Sequence, residues 1–322
     1  MSELRWDPVR REWTVTATHR MGRVFLPPRD FCPLCPTVPG GFETEIPRSY
    51  FEIAVFENRF PSFQTSPPPP GVEGIPLHPV KPAFGVCEVV VYTPDHEGSL
   101  ATLPGERLIQ LIRVWQDRYL EIGRRDQIEY VLIFENRGAE VGVTLHHPHG
   151  QIYGFSYLPP VPAREFASAR RYRSDHGRCL FCDLVESEQQ DGRRVIMEDA
   201  AFTAFIPFAA RYPFEVHLYI RRHCASLLEL TGLEISLLAA SLQRLVKAFD
   251  RLLEAPFPYI MILHQEPTGK KEGLGHLHFE FYPPLRDRHK LKFLAGCEQG
   301  AGTFINDSMP EEKAAQLRKC LN

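Results

Sequence analysis

Three of the 13 histidines in the chain fall within four positions of LHHPHGQIYGF (Leu145 to Phe155), and a glycine and a glutamine follow them. Along a strand, His147 and His149 project to the same face because side chains alternate, and Gln151 shares that face. One imidazole can then bind a metal. The other, neutral and with one nitrogen held by a carbonyl, is competent to attack phosphorus. Gly150 is expected to let the backbone approach a phosphate closely. The Gln151 amide can donate to phosphate oxygens but cannot deliver a proton, so the leaving group must depart unaided. A sugar phosphate is such a leaving group, whereas an amine or alkoxide is not. The motif therefore favours transfer between phosphates over hydrolysis.

Cysteine supplies the second signal. Of the eight cysteines, Cys32/Cys35 and Cys179/Cys182 form two Cys-x-x-Cys pairs. In a cytosolic chain of this size such spacing points to metal or redox chemistry rather than a disulfide framework. A redox pair needs a low-pKa thiol opening a helix after a strand. Cys32 and Cys35 lie instead in the proline-rich PRDFCPLCPTVPGG, which suits a zinc knuckle. Each pair is followed by a lone histidine and then by His-x-His: His96 and His147-Pro-His149 in the first half, His223 and His276-Leu-His278 in the second. The two histidine gaps are 51 and 53 residues. Tetrahedral zinc wants four thiolate or imidazole ligands. The candidate sets are Cys32, Cys35, His96 and His147, then Cys179, Cys182, His223 and His276. In the second half the strand continues Phe279-Glu280 where the first has Gly150-Gln151. A carboxylate there would repel a phosphate, so the second half is expected to hold metal without chemistry, through a CLFC loop.

These groups need strands and helices to place them. CEVVVYTP (87–94), EYVLIFENRG (129–138), YIMILHQEP (259–267) and HLHFEFYPP (276–284) read as strands, and 193–208 as a strand pair. Residues 103–123 and 231–255 carry apolar residues at helical spacing. The segment 61–82 holds eight prolines and reads as a loop. The repeated order of elements and ligands implies an α+β fold built from a duplicated unit, mostly antiparallel sheet flanked by helices, with halves at 1–165 and 166–322. The 322 residues are 43% hydrophobic and 24% charged, with net charge −3 and no basic stripe, which disfavours a nucleic-acid partner. No apolar run is long enough to span a membrane, and the charged N-terminal stretch lacks a signal-peptide core. The cytoplasm is the expected compartment.

HHPHGQ closely resembles the active-site signature of the galactose-1-phosphate uridylyltransferase family, within the histidine-triad superfamily. The blocks THRMGR, VFENRF, YTPDHEGSL, FENRGAEVGVTLHHPHGQIYGF, HLHFEFYPPL and KFLAGCEQGAGTFIN extend the resemblance over nearly the whole chain. It implies a histidine-triad-like fold in each half and a ping-pong reaction. His149 would attack the α-phosphorus of UDP-glucose, release glucose 1-phosphate, and pass the uridylyl group to galactose 1-phosphate. Gln151 would hold phosphoryl oxygens in the transition state. Arg20 and Arg23 would reach phosphates. Asn58, Phe60, Phe134, Asn136, Gly142 and Thr144 would line the nucleotide pocket. Lys292, Phe293, Gly296 and Glu298 would meet the hexose. The resemblance also implies a homodimer that binds a UDP-sugar and a hexose 1-phosphate, with two zinc ions per chain or iron at the second site.

The chain departs from the family pattern at Arg59, where some relatives carry an acidic residue, and at Cys297, where some carry tyrosine. Some members hold the second metal with a glutamate and histidines, for which this chain offers Glu165, His264 and His278. The competing readings are another histidine-dependent nucleotidyltransferase, such as an ADP-sugar phosphorylase, and a zinc-stabilised nucleotide-binding protein without catalysis.

Overall fold

The computed structural model describes residues 2–23, 31–269 and 271–321. Valine-, isoleucine- and aromatic-rich runs form the strands, as their shape on a pleated sheet favours. Strands β1 (Ser2–Asp7), β2 (Glu12–Ala17), β3 (Ala54–Glu57), β4 (Val80–Pro82) and β5 (Gly85–Val91) precede helix α1 (Gly105–Gly123). Next come β6 (Tyr130–Arg137), β7 (His149–Phe155), α2 (Pro160–His176) and α3 (Leu180–Asp191). The second half continues with β8 (Val195–Glu198), β9 (Phe202–Phe205), β10 (Val216–Ile220), α4 (Gly232–Leu253), β11 (Tyr259–His264) and β12 (His278–Tyr282). The hairpin β13 (Leu285–Asp287) and β14 (Lys290–Leu291) and helix α5 (Pro310–Lys319) close the chain.

One antiparallel sheet runs β3-β5-β7-β6-β11-β12-β10-β9-β8. Its order is symmetric about the central β6–β11 pair: β7 answers β12, β5 answers β10, and β3 answers β9. Helix α1 links β5 to β6 just as α4 links β10 to β11. This is the duplicated α+β unit expected from the repeated ligand order.

Both linking helices cover the same face of the sheet, in contact with each other. Helix α1 buries Leu108, Leu111, Ile112, Trp115, Tyr119 and Ile122, the three- and four-residue spacing of a single face. The opposite face differs between the halves. In the second half, α2 and α3 pack Phe166 and Phe181 near Tyr219. In the first half that face carries the small sheet β2-β1-β4 and the loop holding Cys32 and Cys35, and it keeps a cavity.

The strands and helices read from the sequence recur here with ends shifted by up to three residues, mostly inward, although β5 begins two residues earlier than read. The second cysteine pair departs from expectation. CLFC is not a loop but the start of α3, with Cys179 at its N-cap and Cys182 within the first turn. The proline-rich stretch is irregular until β4 and is tied to β1 by the Gly71 N–H donating to Glu3 Oε2 at 2.7 Å. Among the described residues no helix is long and apolar enough to cross a membrane.

Helix α4 opens with a capping box. Thr231 Oγ1 accepts from the Glu234 N–H, and the Glu234 carboxylate accepts from the Thr231 N–H at 2.8 Å. Thr231→Ala is expected to destabilise the protein by about 1 kcal/mol. A urea titration checks this as a lower midpoint at unchanged slope.

Candidate functional site

In the first half two loops and two strand ends converge. Cys32 and Cys35 sit in a turn, with the Cys35 N–H donating to the Cys32 carbonyl at 3.2 Å. His96 follows β5, and His147 lies in the bend just before β7. Cys35 Sγ is 3.5 Å from the Nδ1 atoms of both His96 and His147, and Cys32 Sγ is 3.8 Å from that of His147. Usual Zn–S and Zn–N lengths in a tetrahedron place sulfur and nitrogen roughly 3.5 Å apart. The tautomer also fits. His147 donates its Nε2–H to the Thr93 carbonyl at 2.7 Å, which leaves the Nδ1 lone pair facing the thiols. The donor set therefore suits a thiophilic ion such as zinc.

The second half repeats this geometry. His276 Nδ1 lies 3.9 and 3.6 Å from the sulfurs of Cys179 and Cys182, and His223 Nδ1 lies 3.7 Å from that of Cys182. His276 donates Nε2–H to the Ile220 carbonyl at 2.7 Å. Both Cys2His2 groups are thus candidate metal sites. A third cluster, Glu165, His264 and His278, brings three more ligand atoms together.

His149 opens β7 beside a cavity of about 630 Å³, a size that suits a small-molecule ligand. Its Nδ1–H is donated to the His147 carbonyl at 2.7 Å, so Nε2 keeps its lone pair. Burial holds its pKa below the ordinary histidine value, and the ring is neutral at pH 7. Gln151 lines the same cavity. Its Oε1 accepts from Asn58 Nδ2 at 3.2 Å and from the Tyr153 hydroxyl at 3.4 Å, which frees the amide N–H groups to donate. Asn58 is itself fixed, since its Oδ1 accepts from the Phe60 N–H at 2.9 Å. Arg20 in turn donates to the Phe60 carbonyl at 3.1 Å and to the Ser62 hydroxyl. A chain of polar contacts from Arg20 to Gln151 therefore orients the amide.

Of the other residues singled out in the sequence, Asn58, Phe60, Asn136, Gly142 and Thr144 line the cavity with His149 and Gln151. Phe134 stands behind them, edge-on to Tyr153 at 5.0 Å. The side chain of Arg23 lies outside the described residues. Lys292, Phe293, Gly296 and Glu298 do not line the cavity. They form a separate block, where Lys292 Nζ sits 3.5 Å from Glu298 Oε1 and Phe293 is exposed. That block docks on the second half through Asn306, which donates to the Ala210 carbonyl at 2.9 Å.

Sequence reasoning missed the wall made by Thr44 and Glu45, where the cysteine loop returns across the cavity. Its only local hint was a run of polar residues after the second cysteine. Glu45 pairs there with Arg59 at 3.1 Å. The reason given for Gly150 also needs correcting. A Cβ there would lie 2.2 Å from the Tyr92 hydroxyl, on the helix-covered side of the sheet. Packing behind the strand, rather than room for a phosphate in front of it, excludes a side chain.

The N-terminal domain profile of galactose-1-phosphate uridyl transferase matches residues 2–159, and the C-terminal domain profile matches residues 165–322. The chain is 39% identical to the galactose-1-phosphate uridylyltransferase of Thermotoga maritima, over 99% of this chain and 98% of that one. It is 36% identical to the Streptomyces lividans protein of the same name, over 99% and 87% of the two chains. A solved uridylyltransferase structure superposes with a TM-score of 0.89 at 36% identity, covering 99% of this chain and 98% of the other. The fold is also similar to that of an Arabidopsis thaliana ADP-glucose phosphorylase, with a TM-score of 0.73 at 24% identity over 99% and 98% of the chains.

Metal analysis tests the two thiol clusters separately. Cys32→Ser/Cys35→Ser and Cys179→Ser/Cys182→Ser should each lower metal content by about one ion per chain. The second double variant should also melt lower, because bound metal adds to folding free energy. Unchanged content in that variant would place the second ion at Glu165, His264 and His278.

Proposed function

The chain belongs to the galactose-1-phosphate uridyl transferase family, and we propose that His149 carries the uridylyl group from UDP-glucose to galactose 1-phosphate. The protein is a transferase, as its relatives' names state. The observation that carries the reading is the tautomer of His149, which turns an unprotonated Nε2 toward the cavity that Gln151 also faces.

In the first half-reaction Nε2 attacks the α-phosphorus of UDP-glucose. The Nε2–P bond forms, and the P–O bond to glucose 1-phosphate breaks with its electron pair on the leaving oxygen. The leaving phosphate is stable as an anion, so no acid is needed. As the bond forms, the ring becomes cationic, and its Nδ1–H bond to the His147 carbonyl strengthens. The Gln151 amide donates to the phosphoryl oxygens as their charge grows. In the second half-reaction a phosphate oxygen of galactose 1-phosphate attacks the same phosphorus and the Nε2–P bond breaks. The histidine returns neutral.

Both Cys2His2 groups would hold zinc as structural ions, with iron as the alternative in the second half. The 292–298 block would meet the hexose. Since this block stands apart from the cavity in its own chain, a second copy would bring it to His149, which supports a homodimer.

Intact-mass measurement after mixing with UDP-glucose alone should reveal a uridylyl adduct in the wild-type protein and none in His149→Ala. ADP-glucose in a parallel sample should give no adduct; an adenylyl adduct instead would make the protein an ADP-sugar enzyme. Gln151→Ala should lower turnover by roughly 10²–10³. Its pH profile should keep its shape, because glutamine does not titrate; a new ionisation in that profile would rule the role out.

A further inference from the structure

Behind the strand carrying His149 lies a buried carboxyl with no place in this chemistry. Glu135 is on β6 and faces the helix-covered side of the sheet, with a relative exposure of 5%. Its neighbour Phe134 pairs with Gln151 across β6 and β7, so Glu135 lies level with Gly150. Glu135 Oε1 accepts the Tyr259 hydroxyl at 2.8 Å from β11. Oε2 is buried and has no hydrogen-bond partner. The Tyr92 phenol, fully buried, lies beside the same carboxyl. Tyr92 also grips the active strand. Its N–H donates to the Pro148 carbonyl at 3.0 Å, and its hydroxyl fills the space a Gly150 side chain would need.

We propose that Glu135 is a positioning residue for uridylyl transfer: with Tyr259 and Tyr92 it forms a buried carboxyl–phenol cluster that braces the strand from His149 to Gln151 through the contact of Tyr92 with Gly150. The inference rests on the assignment of His149 as nucleophile.

The cluster works with a neutral carboxyl. An ionised carboxylate in this setting would be a buried charge with only the Tyr259 and Tyr92 phenols beside it and no cation of its own, which is costly. The charged and titratable groups facing it are few. Tyr92 and Tyr259 are phenols whose own ionisation burial suppresses. Arg137, further along β6, donates to both carboxylate oxygens of Asp250 on α4, at 2.7 and 3.1 Å, so its charge is already matched. Burial raises the Glu135 pKa to about 7. The sign follows: the neutral form prevails below that pH, and raising the pH above it puts a charge behind the strand.

The test is Glu135→Gln, which keeps the shape of the neutral acid and cannot ionise. The wild-type kcat for uridylyl transfer should fall as the pH rises through about 7. Glu135→Gln should keep near wild-type turnover at lower pH and lose that fall. A merely structural role would shift melting temperature and leave the pH profile alone. Tyr92→Phe supplies a second reading should the glutamine variant not fold, since it removes only the hydroxyl against Gly150. It should lower kcat by about tenfold with KM unchanged, the mark of a slightly misplaced reacting group. An alkaline fall that persists in Glu135→Gln, or a Tyr92→Phe protein with wild-type kcat, overturns the proposal. Absence of any uridylyl adduct in the wild-type protein would instead overturn the nucleophile assignment.

Discussion

Every imidazole in the two His-x-His runs gives one N–H to a backbone carbonyl, and that bond decides what its other nitrogen can do. His147 binds the Thr93 carbonyl through Nε2 and so turns Nδ1 to the thiols. His149 binds the His147 carbonyl through Nδ1 and so turns Nε2 to the cavity. The bonds are in series, because the carbonyl that orients His149 belongs to the residue that faces the cysteines. Reversing either tautomer would bury an N–H or a lone pair without its partner, at about 1–3 kcal/mol. A candidate metal site and a free imidazole thus stand two residues apart without competing for one nitrogen.

The sheet keeps these bonds in register. Strand β7 is an inner strand, paired on one side with β5 and on the other with β6. Strand β6 in turn pairs with β11, and Phe134 faces both Gln151 and Ile262 across the two ladders. The join between the duplicated halves is therefore one strand from the strand that carries His149 and Gln151. Helix α4 reinforces it from behind through the Arg137–Asp250 pair. A site at a sheet edge would have lacked one of these ladders.

Much of this was legible in the sequence because it depends on local pattern. The apolar spacing in α1 and α4 and the β-branched runs in β5 and β6 announce their elements without knowledge of what they pack against. The ligand sets were legible because order along the chain was repeated, and duplication carries order into space. What stayed hidden depends on partners distant in sequence. CLFC reads as a loop from its local sequence, and only its packing with α2 and the sheet makes it a helix start. The need for glycine at 150 comes from Tyr92, and Glu45 reaches the cavity only because the cysteine loop folds back. The 292–298 block has the right residue types for a sugar, but no local signal says it stands apart from His149 in the same chain.

The second half shows how little separates the imidazole proposed to react from its counterpart in the repeat. His278 donates Nδ1–H to the His276 carbonyl at 2.7 Å, the same bond at the same length as His149 makes. Its tautomer is therefore that of His149, the proposed nucleophile. Two differences disarm it. Tyr219 stacks on it at 4.4 Å and His264 at 5.0 Å, and the ring is only 2% exposed. Two residues on, where the first half has Gln151, stands Glu280. Its carboxylate lies 3.4 to 3.6 Å from His217, His264 and His278, which hold it ionised well below the usual carboxylate range despite its burial. A phosphate approaching His278 would have to displace an aromatic ring and then meet a fixed negative charge. At His149 the equivalent position presents amide N–H groups to open space. The backbone bond that would prepare an imidazole for attack is common to both halves, and the neighbouring side chains leave only His149 beside an open cavity and an amide.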